Sequence, residues 1–340
     1  LETRSEDQWE LWALFEQINT DTNYDLRRLL RAAPWEEESL ARLVAPDRYR
    51  LYSIASAPGD ANQPSESQLA LTVGSLTYTA KTEPLRVDYE QRGTASSFLL
   101  KPISDDEAPL PTRIHRPSRF VLPADGSKPV VMFCAGTGIA PFTAFLKARR
   151  ASGVTGTNLL VFGTRDRAHL YYADALTAWA RQGHLELAIA FSREALSCRV
   201  VDGELTYEPG EKRRVPDLML HNTALSTRLC QTLLDERSGG LAGYGYICGQ
   251  SAFAQGVVQA LKECFAQHFE GRGISQAESV TEAQNAYYRM SGHGRFMLDV
   301  FTPFKPAMAP GVLGNRAFDA SELATHNNEE DGYWMVIRGQ

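Results

Sequence analysis

Several patterns are missing from this 340-residue chain, and each absence excludes a class of protein. The five cysteines, Cys134, Cys198, Cys230, Cys248 and Cys264, are odd in number and form no C-x-x-C pair. Neither a disulfide framework nor a zinc site is indicated, and a reducing, cytoplasmic setting is expected. The seven histidines show no metal-ligand spacing, so His293 and His326 are read as surface or packing residues and no metal is expected. No apolar run approaches the ~20 residues that a membrane span needs, and no secretory leader is visible. No basic block is present; the formal net charge is -6 with both signs mixed. Nucleic acid is therefore not an expected partner. The remainder is a chain 43% hydrophobic, long enough for two cores.

The pattern changes twice along the chain. Residues 1–47 read as helical, with an amphipathic stretch at 7–18 and apolar residues at helical spacing over 24–33 and 35–44. Pro34 separates the last two, and Pro46 closes the region. From Arg50, short runs at 51–56, 69–79, 86–89 and 119–122 read as strands of an antiparallel barrel or sandwich. From Lys128 the chain reads as α/β. Strands are expected at 129–134, 158–163, 185–191 and 244–248, and helices at 141–150, 172–182 and 251–265. Such repeats predict a doubly wound parallel sheet with helices on both faces. Residues 196–223 fit neither pattern and read as a surface insertion. Residues 275–301 read as a helix leading into a strand at 296–301. Three prolines make 302–311 a linker, and 313–340 begin something new.

Five segments can carry chemistry. In the first, Arg50 and Tyr52 stand two apart and face one side of a strand. A tyrosine there can stack on a flat ring and an arginine can meet phosphate, although a plain alternating strand has the same look. In the second, Gly93, Thr94, Ala95, Ser96 and Ser97 open an apolar stretch, which suits a helix cap or a phosphate site equally. The third, Gly136, Thr137 and Gly138, follows a strand directly and precedes a helix; such a turn lets backbone approach a pyrophosphate. The fourth is Cys248-Gly249 at a strand's carboxyl end, where ligands of such sheets bind. That cysteine either touches a nicotinamide or packs as a buried thiol. The fifth is Asp299-Val300-Phe301, whose aromatic ring could cover a flavin or belong to a core strand.

The order of these segments resembles the diflavin reductase branch of the ferredoxin–NADP reductase superfamily. The likeness covers about residues 20–301 and rests on RLYSIAS, GTASSFL, AGTGIAPF, FGTR, AFSRE, YICG and the terminal LDVF. It implies an FAD-binding barrel, partial here because the chain starts inside the helical connecting region, followed by a NAD(P)H-binding domain. The expected boundaries are 1–47 for the connecting region, 48–126 for the barrel, 127–301 for the nucleotide domain and 302–312 for the linker.

The resemblance also implies roles. Arg50, Tyr52 and Ser53 look like the FAD phosphate, ring-stacking and N5-side residues, and Gly93, Ala95, Ser96 and Ser97 like its diphosphate loop. Gly136, Thr137 and Gly138 match the nicotinamide nucleotide's pyrophosphate loop, with Arg165 nearby, and Ser192 and Arg193 the ligands of an adenosine 2'-phosphate. Ser53, Cys248 and Asp299 match the family's hydride-transfer trio, and Phe301 the aromatic that shields the flavin. The chain departs from the pattern where a Lys-x-Tyr-x-Gln element should complete the 2'-phosphate site. The nearest alignment runs from Thr227 to Gln231, which makes Gln231 a candidate ligand, with Arg228 or Lys212, Arg213 and Arg214 as substitutes for the missing cation. Gln250 stands where an acid is usual, and Cys134-Ala135 where Gly-Pro is usual.

Residues 313–340, with Phe318–Asn327 and Gly332–Gly339, resemble the opening of a cytochrome b5 domain, short of its haem-ligating His-Pro-Gly-Gly. No haem is expected in this chain. Together these features imply an enzyme: an NADPH-oxidising FAD reductase module of a larger protein. It would pass single electrons to an FMN module, a b5-type haem domain or a separate haem protein. An NADH-preferring reductase feeding a fused b5 haem is one alternative, and a non-catalytic flavin-binding scaffold is another.

Overall fold

The computed structural model describes residues 50–58, 69–82, 87–101, 112–301, 327–328 and 332–333. The helical connecting region, the linker and nearly all of the b5-like segment lie outside the described residues. The chain divides into two units, one of residues 50–304 and one of residues 1–49 with 305–340.

The larger unit holds a parallel sheet whose strands are the apolar runs of the sequence. These are β3 (Val130–Ala135), β4 (Asn158–Thr164), β5 (Glu186–Phe191), β8 (Tyr244–Gln250) and β9 (Phe296–Phe301), in the order β5-β4-β3-β8-β9. All four pairings are parallel. Strands covered on both faces need apolar side chains on both parities. Accordingly Val130, Met132 and Cys134 pack on one face, and Val131 and Phe133 on the other, all fully buried.

The first face is covered by α2 (Ala140–Ala151) and α3 (Ala173–Arg181). The second is covered by α4 (Val215–His221), α5 (Thr223–Leu233), α6 (Ser251–Glu270) and α7 (Gln276–Gly292). Arg149 is buried at the base of β3 and β4, where Nε and Nη2 find acceptors. Its Nε donates to Asn158 Oδ1 at 2.6 Å, and its Nη2 to the carbonyls of Lys128 and Gly156.

The stretch expected as a surface insertion has regular structure. Residues Leu196–Val201 (β6) and Glu204–Pro209 (β7) pair as an antiparallel hairpin, and α4 and the start of α5 follow it. The hairpin lies against α3, where Arg181 pairs with Glu204.

Before the parallel sheet, β1 (Thr77–Thr82) and β2 (Val87–Arg92) form an antiparallel pair, followed by α1 (Thr94–Leu99). The expected strand at 51–56 is reduced to a bridge between Ile54 and Leu71, supported by Ala55 N donating to Ala70 O at 2.8 Å. Residues 119–122 form bends and coil rather than a strand. Phe120 is held there by its ring contacts with Phe142, Phe145 and Tyr246. These side-chain contacts, not strand pairing, fix that segment.

Candidate functional site

The sheet order reverses between β3 and β8. In an open parallel sheet the crevice outside the strands' carboxyl ends at such a point is where ligands bind. The glycine turn lies there: β3 runs into a short 3-10 turn, Gly136–Ile139, which leads into α2. Pro141 lies in the first turn of α2, where it loses no hydrogen bond. A Cβ on Gly138 would lie 2.3 Å from the carbonyl oxygen of Cys248, so only glycine lets the turn approach β8 so closely. Gly136 has φ of 55°, and a Cβ there would meet nothing within 4 Å. The turn thus offers bare backbone beside open space, the cradle that a nucleotide diphosphate requires.

Beside the turn, Cys134, Cys248 and Asp299 are partners in register on β3, β8 and β9 and so project from one face of the sheet. Ser53 reaches this row from the other end of the unit: its hydroxyl donates to Asp299 Oδ2 at 3.0 Å. The Cys248 thiol donates toward the same oxygen at 3.9 Å. The structure therefore brings Ser53, Cys248 and Asp299 together. Cys248 is buried; that burial, and then the Asp299 carboxylate, pushes its thiol up to about 12. At neutral pH it is a neutral, polarisable wall and not a nucleophilic thiolate. Phe301 is two residues beyond Asp299, on the same parity of β9, and is 43% exposed.

In the extended segment around Ser53, Arg50 is exposed and Tyr52 half-buried. Ser96 is turned inward: its hydroxyl donates to Gly93 O at 3.2 Å and receives Leu76 N at 3.4 Å. It holds the turn ahead of α1, while Ala95 and Ser97 are half-buried around it. Other ties link this region to the parallel sheet and were not legible as site residues. Thr143 on α2 donates to Ala55 O at 3.0 Å, and Tyr246 on β8 donates to Val121 O at 2.8 Å. Thr72 Oγ1 and Tyr172 OH are 2.6 Å apart. The one local signal was Thr143 itself, a hydroxyl between Phe142 and Leu146 on the buried side of α2.

Arg165, Ser192 and Arg193 cluster just past the carboxyl ends of β4 and β5. Ser192 N donates to Thr164 O and Arg193 N to Arg165 O. Arg213 N donates to Phe191 O at 2.8 Å, which brings the segment after the hairpin to the same place. Arg167 is engaged by Glu194 and lies over the Tyr207 ring, and Arg213 pairs with Glu211. Among the described residues, the side chains of Arg165, Arg193 and Lys212 have no hydrogen bond or ion pair and remain available to an anion.

The oxidoreductase NAD-binding domain family matches residues 132–259, from β3 into α6. The sulfite reductase [NADPH] flavoprotein alpha-component of Vibrio cholerae serotype O1 is 32% identical over 252 residues, covering 73% of this chain and 35% of the relative. The alpha-component of Salmonella paratyphi B is 40% identical over 134 residues, covering 38% of this chain and 20% of the relative. The chain belongs to the diflavin reductase branch of the ferredoxin–NADP reductase superfamily. It spans little more than a third of the length of the Vibrio relative and less of the other.

Within this reductase fold, one candidate ligand has to be corrected. Gln231 is on α5, where its carbonyl receives Leu241 N, and its neighbour Thr232 receives Gly243 N just before β8 begins. Arg228 is bound by Glu186, the first residue of β5, at 2.8 Å from Nε. Both therefore lie at the amino ends of the strands. The glycine turn and Ser192 lie at the carboxyl ends, about 20 Å away for strands of this length. Gln231 cannot complete a 2'-phosphate site with Ser192. The segment that lies beside Ser192 is Lys212–Arg214, tied there by Arg213 N donating to Phe191 O.

Proposed function

We propose that the chain is the NADPH-oxidising FAD reductase module of a larger electron-transfer protein. The observation that carries this reading is the meeting of Ser53, Cys248 and Asp299 beside the glycine turn at the sheet's switch point. Bound FAD would supply a two-electron acceptor that can release its electrons singly. Arg50 and Tyr52 would hold it, by charge on the diphosphate and by stacking on the ring. The nicotinamide nucleotide is the substrate. Its diphosphate would lie on Gly136–Gly138, and its 2'-phosphate among Arg165, Ser192, Arg193 and Lys212.

The residues of the trio then divide the work. Asp299 presents a carboxylate to the ring that becomes positively charged as its hydride leaves, which stabilises the transition state more than the ground state. Ser53 fixes that carboxylate by its hydrogen bond and would offer its oxygen to bound flavin. The Cys248 thiol, kept neutral, provides a polarisable surface for the nicotinamide without adding a second negative charge. Phe301 is partly exposed at the end of β9 and would be the residue to cover the flavin face when FAD is bound. The proposed acceptor of the single electrons is an FMN or haem centre in the same parent protein.

The test is stopped-flow absorbance of the FAD-reconstituted chain mixed separately with NADPH and NADH. Fast bleaching of the flavin band by NADPH and slow bleaching by NADH is expected. Bleaching by neither, with FAD bound, would remove the catalytic reading.

A further inference from the structure

Tyr172 is a non-glycine residue in the left-handed region, with φ of 60° and ψ of 24°. It occupies the N-cap of α3 without making a side-chain cap, a place where Asn, Asp, Ser or Gly would be less strained. Its carbonyl starts the helix by receiving Leu176 N at 2.9 Å. Its hydroxyl does something else: it is 2.6 Å from Thr72 Oγ1, 100 residues away and partly buried. Strain at a non-glycine residue persists where the surroundings hold it, and it points to function when what it reaches is a site.

What Tyr172 reaches is the segment bridged to the one that carries Ser53. Thr72 follows Leu71, which bridges to Ile54, the residue after Ser53. Two residues further on, a Cβ on Gly74 would lie 3.3 Å from Cγ2 of Thr137, in the middle of the nucleotide turn. The segment 72–74 is thus held at one end by the Tyr172 phenol and abuts the turn at the other.

We propose that Tyr172 is a positioning residue for hydride transfer, clamping the Thr72 segment so that the flavin-side strands keep their distance from the nucleotide turn. This rests on the reductase reading above. Tyr172 touches neither reactant in this scheme and acts through Thr72 and Gly74.

The test uses Tyr172→Phe, Thr72→Val, their double variant, and Thr72→Ser, which keeps the hydroxyl. Backbone hydrogen exchange over residues 69–76 is measured in the FAD-free chain. Hydride-transfer rate and NADPH affinity are measured in the reconstituted chain. Each of the first two variants should speed exchange over 69–76 and slow hydride transfer by about fivefold, the worth of one ordinary hydrogen bond. Exchange in β4 and NADPH affinity should stay unchanged, the double variant should be no worse than either single one, and Thr72→Ser should behave as the parent chain. Unchanged exchange, additive losses, or Thr72→Ser failing like Thr72→Val would overturn the clamp. If the parent chain does not oxidise NADPH, the reductase reading fails, while the exchange data still decide whether the clamp exists.

Discussion

The hydroxyl of Ser53 donates to Asp299 Oδ2 at 3.0 Å across 246 residues of sequence. The bond joins the extended segment that precedes β1 to the last strand of the parallel sheet, and it aims the Asp299 carboxylate toward Cys248. Replacing either partner should hurt catalysis far more than folding. Ser53→Ala and Asp299→Asn are each expected to slow flavin reduction by roughly 10²-fold or more, as removal of a preorganised charge contact does. Thermal stability should change by only about 1 kcal/mol, the worth of a half-buried hydrogen bond. Rapid-mixing kinetics and thermal unfolding of the same samples check both halves.

The two glycines of the nucleotide turn should respond differently to alanine. At Gly138 the new methyl would press on the carbonyl of Cys248, backbone against backbone. A loss of about 1–3 kcal/mol in stability is expected, together with weaker nucleotide binding. At Gly136 the methyl meets open space and the cost is only left-handed strain, about 1–2 kcal/mol. There the methyl would intrude on the diphosphate cradle, so nucleotide affinity should fall more than stability. Denaturant unfolding and nucleotide titration distinguish the two patterns.

Discrimination between NADPH and NADH should reside at the carboxyl ends of β4 and β5. Arg193→Ala or Lys212→Ala should raise KM for NADPH by roughly tenfold, the effect of about 1.4 kcal/mol lost from a charge-assisted contact, and leave NADH nearly unaffected. Gln231→Ala should leave both values alone, because it lies at the amino ends of the strands. A change at Gln231 equal to that at Arg193 would refute the placement.

The buried thiols set the behaviour in alkali. Burial holds the Cys230 and Cys248 thiols at about 12, against 9.0 for a free group. Above pH 9 the unfolded chain releases protons that the folded chain retains. Stability must therefore fall as pH rises from that value toward 12, by at most about 1.4 kcal/mol per pH unit for each thiol. Thermal unfolding across this range should show the decline, and Cys248→Ala should flatten it. Flavin reduction should meanwhile show no titration of Cys248 near neutrality.

The parallel sheet was plain in the sequence because β3, β4 and β8 are apolar runs bounded by turns, and burial on both faces demands such runs. The glycine turn and the Cys248 strand were legible for the same local reason. The contacts between distant segments were not. Nothing near Thr72 or Tyr172 in sequence announces their hydrogen bond. Gln231 was misplaced because spacing along the chain does not record direction: α5 carries its residues back toward the amino ends of the strands. The segment 196–223 escaped because a hairpin with one solvent face and a seven-residue helix leave only a weak periodic signal. Residues 119–122 were expected as a strand because their apolar side chains were visible, while their partners, the rings of Phe142, Phe145 and Tyr246, were not.

The hairpin β6–β7 leaves the sheet and returns to it at a single point, where Gly210 N donates to Ala195 O at 3.0 Å and Leu196 is paired with Pro209. Its two stems are neighbours, so the sheet does not sense how much chain lies between them. A module inserted at its tip, around Asp202 and Gly203, would therefore displace Arg181 of α3 from Gly203 and Glu204 but leave the register of β5 untouched.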